Sequence, residues 1–171
     1  MRLFIAIPLP REQRQAVLEV QQALIEHGAH GRFVPCENFH ITLHFIGESR
    51  RLADLTWAMR EACRDIRPFS LRFSSCGSFS GGKTVFLSVV CDNTEIHCLY
   101  ESLDFALGER GFTRNRDHLI PHITLGRNMC GFDGFEWRSP ERAFSVNEIV
   151  LYESERTDCV RYHALHRVPL T

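Results

Sequence analysis

The alternation of apolar and polar residues along the chain predicts strands and helices in a regular order. Residues 3–9 are almost entirely apolar and predict a first strand. The segment 11–27 that follows carries valine and leucine at helical spacing, and Gly28 is suited to end that helix. The later elements are predicted in the order helix at about 50–66, strand 69–73, turn 80–83, strand 84–90, helix 94–111 and two final strands at about 144–152 and 159–167.

The tetrapeptide His-Ile-Thr-Leu occurs twice, at 40–43 and at 122–125, which is a separation of 82 positions. Each copy closes a predicted strand–helix–strand unit, and the two units keep the same order of elements. We therefore predict a single domain over residues 1–171, built from two similar lobes about a pseudo-two-fold axis, with the motif strands meeting at the interface.

Each motif presents histidine and threonine on one face of its strand, because alternate side chains of a strand point the same way. His40, Thr42 and His44 share a face in the first copy, and His122 and Thr124 share a face in the second. A half-buried structural strand would account for the isoleucine and leucine positions alone. The retention of both polar residues in both copies indicates a shared polar cleft.

Two histidines and two threonines around one cleft suit displacement at phosphorus. A neutral imidazole can take a proton from water, while an imidazolium can give one to a departing oxygen. Threonine hydroxyls can donate hydrogen bonds to the phosphate oxygens. This chemistry needs neither a metal nor another cofactor, and we predict none.

The composition restricts the class of binding site and of compartment. The net charge is −1, so no global basic field attracts nucleic acid, and any phosphate site must be local. The seven cysteines form no Cys-x-x-Cys pair, which predicts reduced thiols in a cytoplasmic protein and argues against zinc. No segment is long and apolar enough to predict a membrane span.

Four segments resemble one known family over nearly the whole chain: "RLFIAIPLP" at the start, "ENFHITLHFIGE", "PHITLGR", and "VLYES" near the end. They resemble the 2H phosphoesterase superfamily, and within it the RNA 2′,3′-cyclic phosphodiesterases, which are 2′-5′ RNA ligase-like. The resemblance implies an α/β (α+β) bilobal duplicated fold, with two antiparallel sheets flanking a central cleft and helices outside. It also implies metal-free hydrolysis of RNA 2′,3′-cyclic phosphate ends, or of a cyclic nucleotide, to a 2′-phosphomonoester.

The same resemblance implies roles for five residues. His40 would protonate the departing 3′ oxygen and His122 would activate the water, although the assignment of acid and base is less secure than the pair. Thr42 and Thr124 would hold the phosphate, and Arg127 would neutralise its charge.

Several positions stay open at this level. Strand parity places Arg127 on the core face unless the strand bends, which Gly126 would permit. His44 faces the cleft by parity, either as a substrate contact or as a solvated strand residue. Phe4 and Tyr162 are further candidates for the cleft lining.

Other functions remain compatible with the sequence. The loop arginines 110, 114 and 116 form either a rim for RNA or an ordinary charged loop. The alternatives are a phosphodiesterase for another cyclic phosphate or a 2′-5′ linkage, the reverse ligation of tRNA halves, and a non-catalytic nucleotide or RNA binder. A small enclosed cleft on one chain predicts a monomer.

Overall fold

The computed structural model describes residues 1–138 and 142–171. The helices are α1 (Arg11–His27), α2 (Leu52–Cys63) and α3 (Glu95–Glu109). The strands are β1 (Arg2–Pro8), β2 (His30–Phe33), β3 (His40–Glu48), β4 (Phe69–Phe79), β5 (Thr84–Val90), β6 (His122–Cys130), β7 (Ala143–Val146), β8 (Glu148–Arg156) and β9 (Val160–Pro169).

These strands form two antiparallel sheets, and each sheet holds one motif strand. The first sheet has the order β3-β1-β8-β9 and the second has the order β2-β6-β5-β4-β7. The predicted α+β fold with two antiparallel sheets is confirmed. Because β1 pairs with β3 on one side and with β8 on the other, the first sheet combines early and late segments of the chain.

The helices cover the sheet faces that point away from the motif side chains. Helices α2 and α3 pack on each other, and they contact β9 and β3 of the first sheet respectively. Helix α1 is attached to the second sheet, because the Gln21 side-chain amide donates to the carbonyls of Val34 (2.8 Å) and Leu125 (2.9 Å). No helix in the described ranges combines the length and the apolar content that a bilayer crossing requires.

The strand predicted at about 144–152 is wrong as a single element, since the chain changes sheet within it. Strand β7 pairs with β4 in the second sheet, and β8 pairs with β1 in the first. The change falls at Asn147, whose carbonyl accepts a hydrogen bond from the Leu170 backbone N–H at 2.8 Å. Phe144 and Val146 are buried before that point, and Ile149 is buried after it, so the buried positions change phase where the chain crosses over.

Strand β2 was not predicted, because its sequence is polar and too short to show a period. It forms the edge of the second sheet beside β6. Gly31 permits this close pairing: its φ is +148°, and a Cβ there would lie 2.6 Å from the Asn128 carbonyl oxygen. The pairing places Arg32 directly opposite Arg127.

Candidate active site

The two motif histidines begin two strands that meet between the sheets. His40 is the first residue of β3, His122 is the first residue of β6, and β3 contacts β6. Each motif strand is paired with the first strand of its own predicted unit, β3 with β1 and β6 with β5. The structure therefore brings the two copies of the motif to a common cleft.

Backbone carbonyls fix the tautomer of both imidazoles. His40 Nδ1 lies 2.7 Å from the Asn38 carbonyl oxygen, and His122 Nδ1 lies 2.6 Å from that of Ile120. A carbonyl can only accept, so each Nδ1 carries the proton and donates it. Nε2 is consequently the atom with which each ring can exchange protons. In His40 this atom lies 2.9 Å from Thr42 Oγ1.

Aromatic side chains surround the His40 ring. Phe4 lies 5.0 Å from it between ring centroids, Tyr162 lies edge-on at 5.2 Å, and Tyr152 lies at 6.5 Å. Phe4 also stacks on Tyr152, to which it is opposite in the β1–β8 pairing. The structure thus places Phe4 and Tyr162 against the proposed catalytic imidazole.

The His122 ring has an aromatic surrounding of its own in the second sheet. Phe79 lies edge-on at 4.7 Å and Phe86 lies at 5.5 Å, and these two rings stack on each other at 4.2 Å. Both imidazoles are therefore held by rings that restrict their orientation and reduce their contact with water.

This environment lowers the pKa of both histidines. Burial lowers the pKa of His40 to about 4, and the positive charges of Arg127 and His122 act in the same direction, against the Asn38 carbonyl. Burial also lowers the pKa of His122, again with Arg127 and against the Ile120 carbonyl. Both rings are consequently neutral near pH 7 in the absence of an anion.

A matching irregularity interrupts both motif strands one residue after the threonine. In the first sheet Ala6 pairs with Thr42 but Ile5 pairs with His44, so the leucine between them is an extra residue. In the second sheet Phe86 pairs with Thr124 but Val85 pairs with Gly126, which leaves out the equivalent leucine. Such a bulge reverses the facing of the residues that follow it.

The bulge explains why His44 does not face the cleft, so the expectation from strand parity is wrong. His44 is 3% exposed, and its Nε2 lies 3.4 Å from an oxygen of Asp104 on α3. Asp104 is also bound by the Arg114 guanidinium at 2.9 Å and by the Asn115 backbone N–H at 2.7 Å. Burial lowers the pKa of His44. This residue therefore lies between β3 and α3 in the interior.

The same reversal brings the following residue of each motif strand out of the core. Phe45 is 69% exposed, and Arg127 is exposed at the matching position of the second copy. Gly126 is buried at the bulge, and a Cβ there would lie 2.5 Å from Met129 Sδ. Arg127 thus reaches the cleft by the strand distortion that Gly126 was expected to permit.

Two adjoining cavities open at His40. The smaller one, of about 380 Å³, includes Thr124, and the larger one, of about 610 Å³, includes Phe4 and Phe45. The residues that line both cavities are His40, Arg32, Arg127, Asp158, Val160 and Tyr162. One imidazole, a threonine of the opposite motif and two arginines therefore face the same space.

The loop arginines lie elsewhere. Arg110 stacks on Trp57 at 3.8 Å and lies 3.8 Å from Asp54, while Arg114 is bound to buried Asp104. Neither lines the two cavities. The loop was expected to form either a rim for RNA or an ordinary charged loop. For Arg110 and Arg114 the second interpretation holds.

Several residues of the cleft were missed from the sequence. Arg32 stands in a segment without a hydrophobic period, so nothing placed it beside Arg127. Tyr152 shares the cleft face of β8 with its neighbours at alternate positions, and this parity could have been found within "VLYES". Phe86 belongs to the predicted strand 84–90, in which aromatic residues are expected to be core, and Phe79 lies outside the predicted strands.

The sequence matches the family model described as the 2′-5′ RNA ligase superfamily over residues 9–158. The chain belongs to the 2′-5′ RNA ligase superfamily. The resemblance inferred from the two motifs is therefore confirmed.

Relatives in this superfamily carry the name RNA 2′,3′-cyclic phosphodiesterase. The protein of Geobacillus stearothermophilus is 32% identical over 178 residues, which cover 98% of this chain and 56% of that protein. The chain thus spans little more than half the length of that relative. The protein of Methanothermobacter thermautotrophicus is 32% identical over 133 residues, which cover 74% of this chain and 71% of that protein.

A solved structure of the 2′-5′ RNA ligase superfamily fold is also similar. The crystal structure of Escherichia coli LigT complexed with 3′-AMP matches with a TM-score of 0.84 at 27% identity, covering 99% of this chain and 98% of that chain. The arrangement of the sheets described above is therefore that of a known nucleotide-binding relative.

Proposed function

We propose that this superfamily member hydrolyses RNA 2′,3′-cyclic phosphate ends to 2′-phosphomonoesters. One observation supports this most strongly: both motif imidazoles have Nδ1 fixed by a carbonyl and leave Nε2 for proton exchange, and the charge of Arg127 acts on both rings. The names of the relatives agree with this activity. A binding protein without catalysis would have no use for two oriented proton carriers.

Each of the two imidazoles carries out one of the two proton transfers of the reaction. Neutral His122 takes a proton from water at Nε2 while the water oxygen forms a bond to phosphorus. The bond between phosphorus and the 3′ oxygen breaks, and His40, which enters the step as the imidazolium, gives its Nε2 proton to that oxygen. The products are a 2′-phosphomonoester and a 3′ hydroxyl. The proton taken from water and the proton given to the sugar balance over a turnover.

The phosphate is bound by side chains that supply the positive charge and the hydrogen bonds that a metal ion would otherwise provide. Thr42 and Thr124 donate hydrogen bonds to its oxygens, and Arg127 supplies positive charge. Thr42 lies 2.9 Å from His40 Nε2, and Thr124 and Arg127 share the smaller cavity with that ring. The chemistry we propose is therefore metal-free.

The experiment that tests this function is a product assay in the presence of EDTA. The purified protein is incubated with an RNA oligonucleotide ending in a 2′,3′-cyclic phosphate, and we expect a 2′-phosphomonoester at an unchanged rate. An oligonucleotide with a 2′-5′ linkage is assayed in parallel as a competing substrate. Complete loss of turnover in chelator would contradict the metal-free mechanism, and exclusive cleavage of the 2′-5′ linkage would contradict the substrate.

The pH dependence follows from the lowered pKa of both rings. Turnover requires one proton on the pair, and in the free protein this state declines as pH rises through pKa values below the usual ~6.5. We expect kcat/KM to be bell-shaped with its maximum below that pH. The charge of the bound phosphate anion offsets that of Arg127 and raises the pKa of both histidines. The alkaline limb of the kcat profile should therefore lie at higher pH than that of kcat/KM. A profile of kcat/KM that is flat between pH 5 and 9 would contradict paired imidazoles.

We also propose that the protein acts as a cytoplasmic monomer. All seven cysteines are free thiols, which suits a reducing compartment. Both motifs stand on one chain, so the proposed site needs no partner subunit.

A further inference from the structure

We infer that the larger cavity binds the RNA backbone upstream of the reacting phosphate, through Arg2 and Arg156. The protein would then prefer oligoribonucleotide ends to cyclic mononucleotides. This inference rests on the proposed phosphodiesterase function and adds to it a substrate class and the residues that select it.

The first support is the concentration of positive charge in the cavity. Four arginines line it, namely Arg2, Arg32, Arg127 and Arg156, and Asp158 is the one carboxylate among the lining residues. The whole chain carries a net charge of −1, so this charge is local. A positively charged groove is the feature with which proteins follow a single-stranded backbone.

The second support is that these arginines have no carboxylate partner. Within residues 1–138 and 142–171, none of the four lies within the 4.0 Å of a carboxylate oxygen that defines an ion pair. Seven other arginines do have such a partner: Arg51, Arg64, Arg72, Arg110, Arg114, Arg142 and Arg167. Moreover, Arg32 stands directly opposite Arg127 in the β2–β6 pairing. Like charges in such a position destabilise a sheet unless an anion joins them.

The third support is the position of Arg2 on its strand relative to His40. His40 pairs with Pro8 at one end of β1, and Arg2 is at the other end of that strand. The six intervening steps separate the Cα atoms of Arg2 and Pro8 by roughly 20 Å at the usual rise of a strand. Arg2 therefore lines the end of the larger cavity that lies farther along β1 from His40.

Arg156 has a fixed position on the same side. It ends β8, where Ser154 and Arg156, two positions apart, both line the larger cavity. The turn that follows leads to Val160, whose carbonyl accepts a hydrogen bond from the Asn38 side chain at 2.8 Å. The hairpin is thereby tied to the segment that enters β3, so Arg156 is held relative to His40.

These positions match the chemical difference between the two substrate classes. A cyclic mononucleotide carries its charge at the reacting phosphate alone. An RNA end carries a further phosphodiester on the 5′ side of each nucleotide. Arg2 and Arg156 can bind that additional charge, while Arg127 and the threonines bind the reacting group.

The experiment crosses a protein variant with a change in substrate charge. We compare kcat/KM for uridine 2′,3′-cyclic phosphate, for the dinucleotide UpU ending in a 2′,3′-cyclic phosphate, and for the same dinucleotide with an uncharged methylphosphonate in place of its internal phosphate. For the natural protein we expect the charged dinucleotide to be favoured by about tenfold or more, as charge-assisted hydrogen bonds allow. Arg156→Gln and Arg2→Gln should each bring this ratio closer to one.

The control is Arg67→Gln, which removes the same charge from an exposed arginine outside both cavities. It should keep the natural ratio. Replacing the internal phosphate by methylphosphonate should lower kcat/KM more for the natural protein than for the Arg156→Gln variant. The variant has already lost the contact with that phosphate. The slope of log kcat/KM against log salt should become shallower by about 0.7 for each phosphate contact removed.

The outcomes separate this inference from the proposed function. Equal kcat/KM for charged dinucleotide and mononucleotide, or independent effects of the variant and the methylphosphonate, would overturn the backbone site and leave the phosphodiesterase intact. If the natural protein turns over none of the three substrates, the proposed function fails and the inference fails with it.

Discussion

His40→Ala and His122→Ala should each lower kcat for cyclic-phosphate RNA by about 10²–10⁴-fold, which is the usual contribution of a positioned proton carrier. The structure leaves each ring a single nitrogen, Nε2, for proton exchange. Because both rings act in one step, the double variant should lose little more than either single one. Turnover under substrate saturation measures these losses.

The matched control for the histidines is His163→Ala. His163 lies on β9, is exposed, and pairs with Glu155 at 2.8 Å, and it lines neither cavity. This variant should keep normal kcat. Circular dichroism and thermal unfolding of all three variants separate loss of catalysis from loss of fold. Near-normal turnover in a folded His40→Ala or His122→Ala protein would remove that histidine from the mechanism.

Arg127→Gln should lower kcat/KM by about 10²–10³-fold, as the removal of one group that stabilises developing charge does in other enzymes. It should also move the alkaline limb of the pH profile upward, because the charge of Arg127 lowers the pKa of both histidines. A residue that merely maintained the fold would not produce this shift. Steady-state assays between pH 4 and 9 measure both effects.

Two comparisons make the Arg127 result specific. Arg127→Lys keeps the charge but not the planar guanidinium, so it should restore part of the rate and most of the pH profile. Arg67→Gln removes a distant charge and should change neither. If Arg127→Gln retained both the natural rate and the natural pH limbs, Arg127 would have no place in the phosphate site.

Hydrophobic spacing was sufficient to predict most of the framework. The valines and leucine at helical spacing in α1 are buried, and the predicted strand 84–90 is β5 at the same bounds. The repeated tetrapeptide was sufficient to predict the meeting of β3 with β6. These predictions succeeded because they depend on local periodicity and on a repeat, both of which a single sequence displays.

The predictions that failed concern residues whose position depends on how strands distant in sequence pair with each other. "HITLHF" alternates without interruption, so nothing in it marks Leu43 as an extra residue or turns His44 inward. The second copy does contain a mark, Gly126, at the matching place. Similarly, the change of sheet at Asn147 depends on which strands pair on either side of it, and Arg32 is placed beside Arg127 only by the pairing of β2 with β6.

The paired bulges make the cleft directional. Phe45 and Arg127 occupy matching positions of two matching strands, yet one is an aromatic hydrocarbon and the other a cation. A site built from two equivalent halves would accept a ligand equally well when it is turned end for end. This difference makes the two halves inequivalent, so under the proposed function we expect an RNA terminus to enter with one chain polarity and the two imidazoles to keep separate roles.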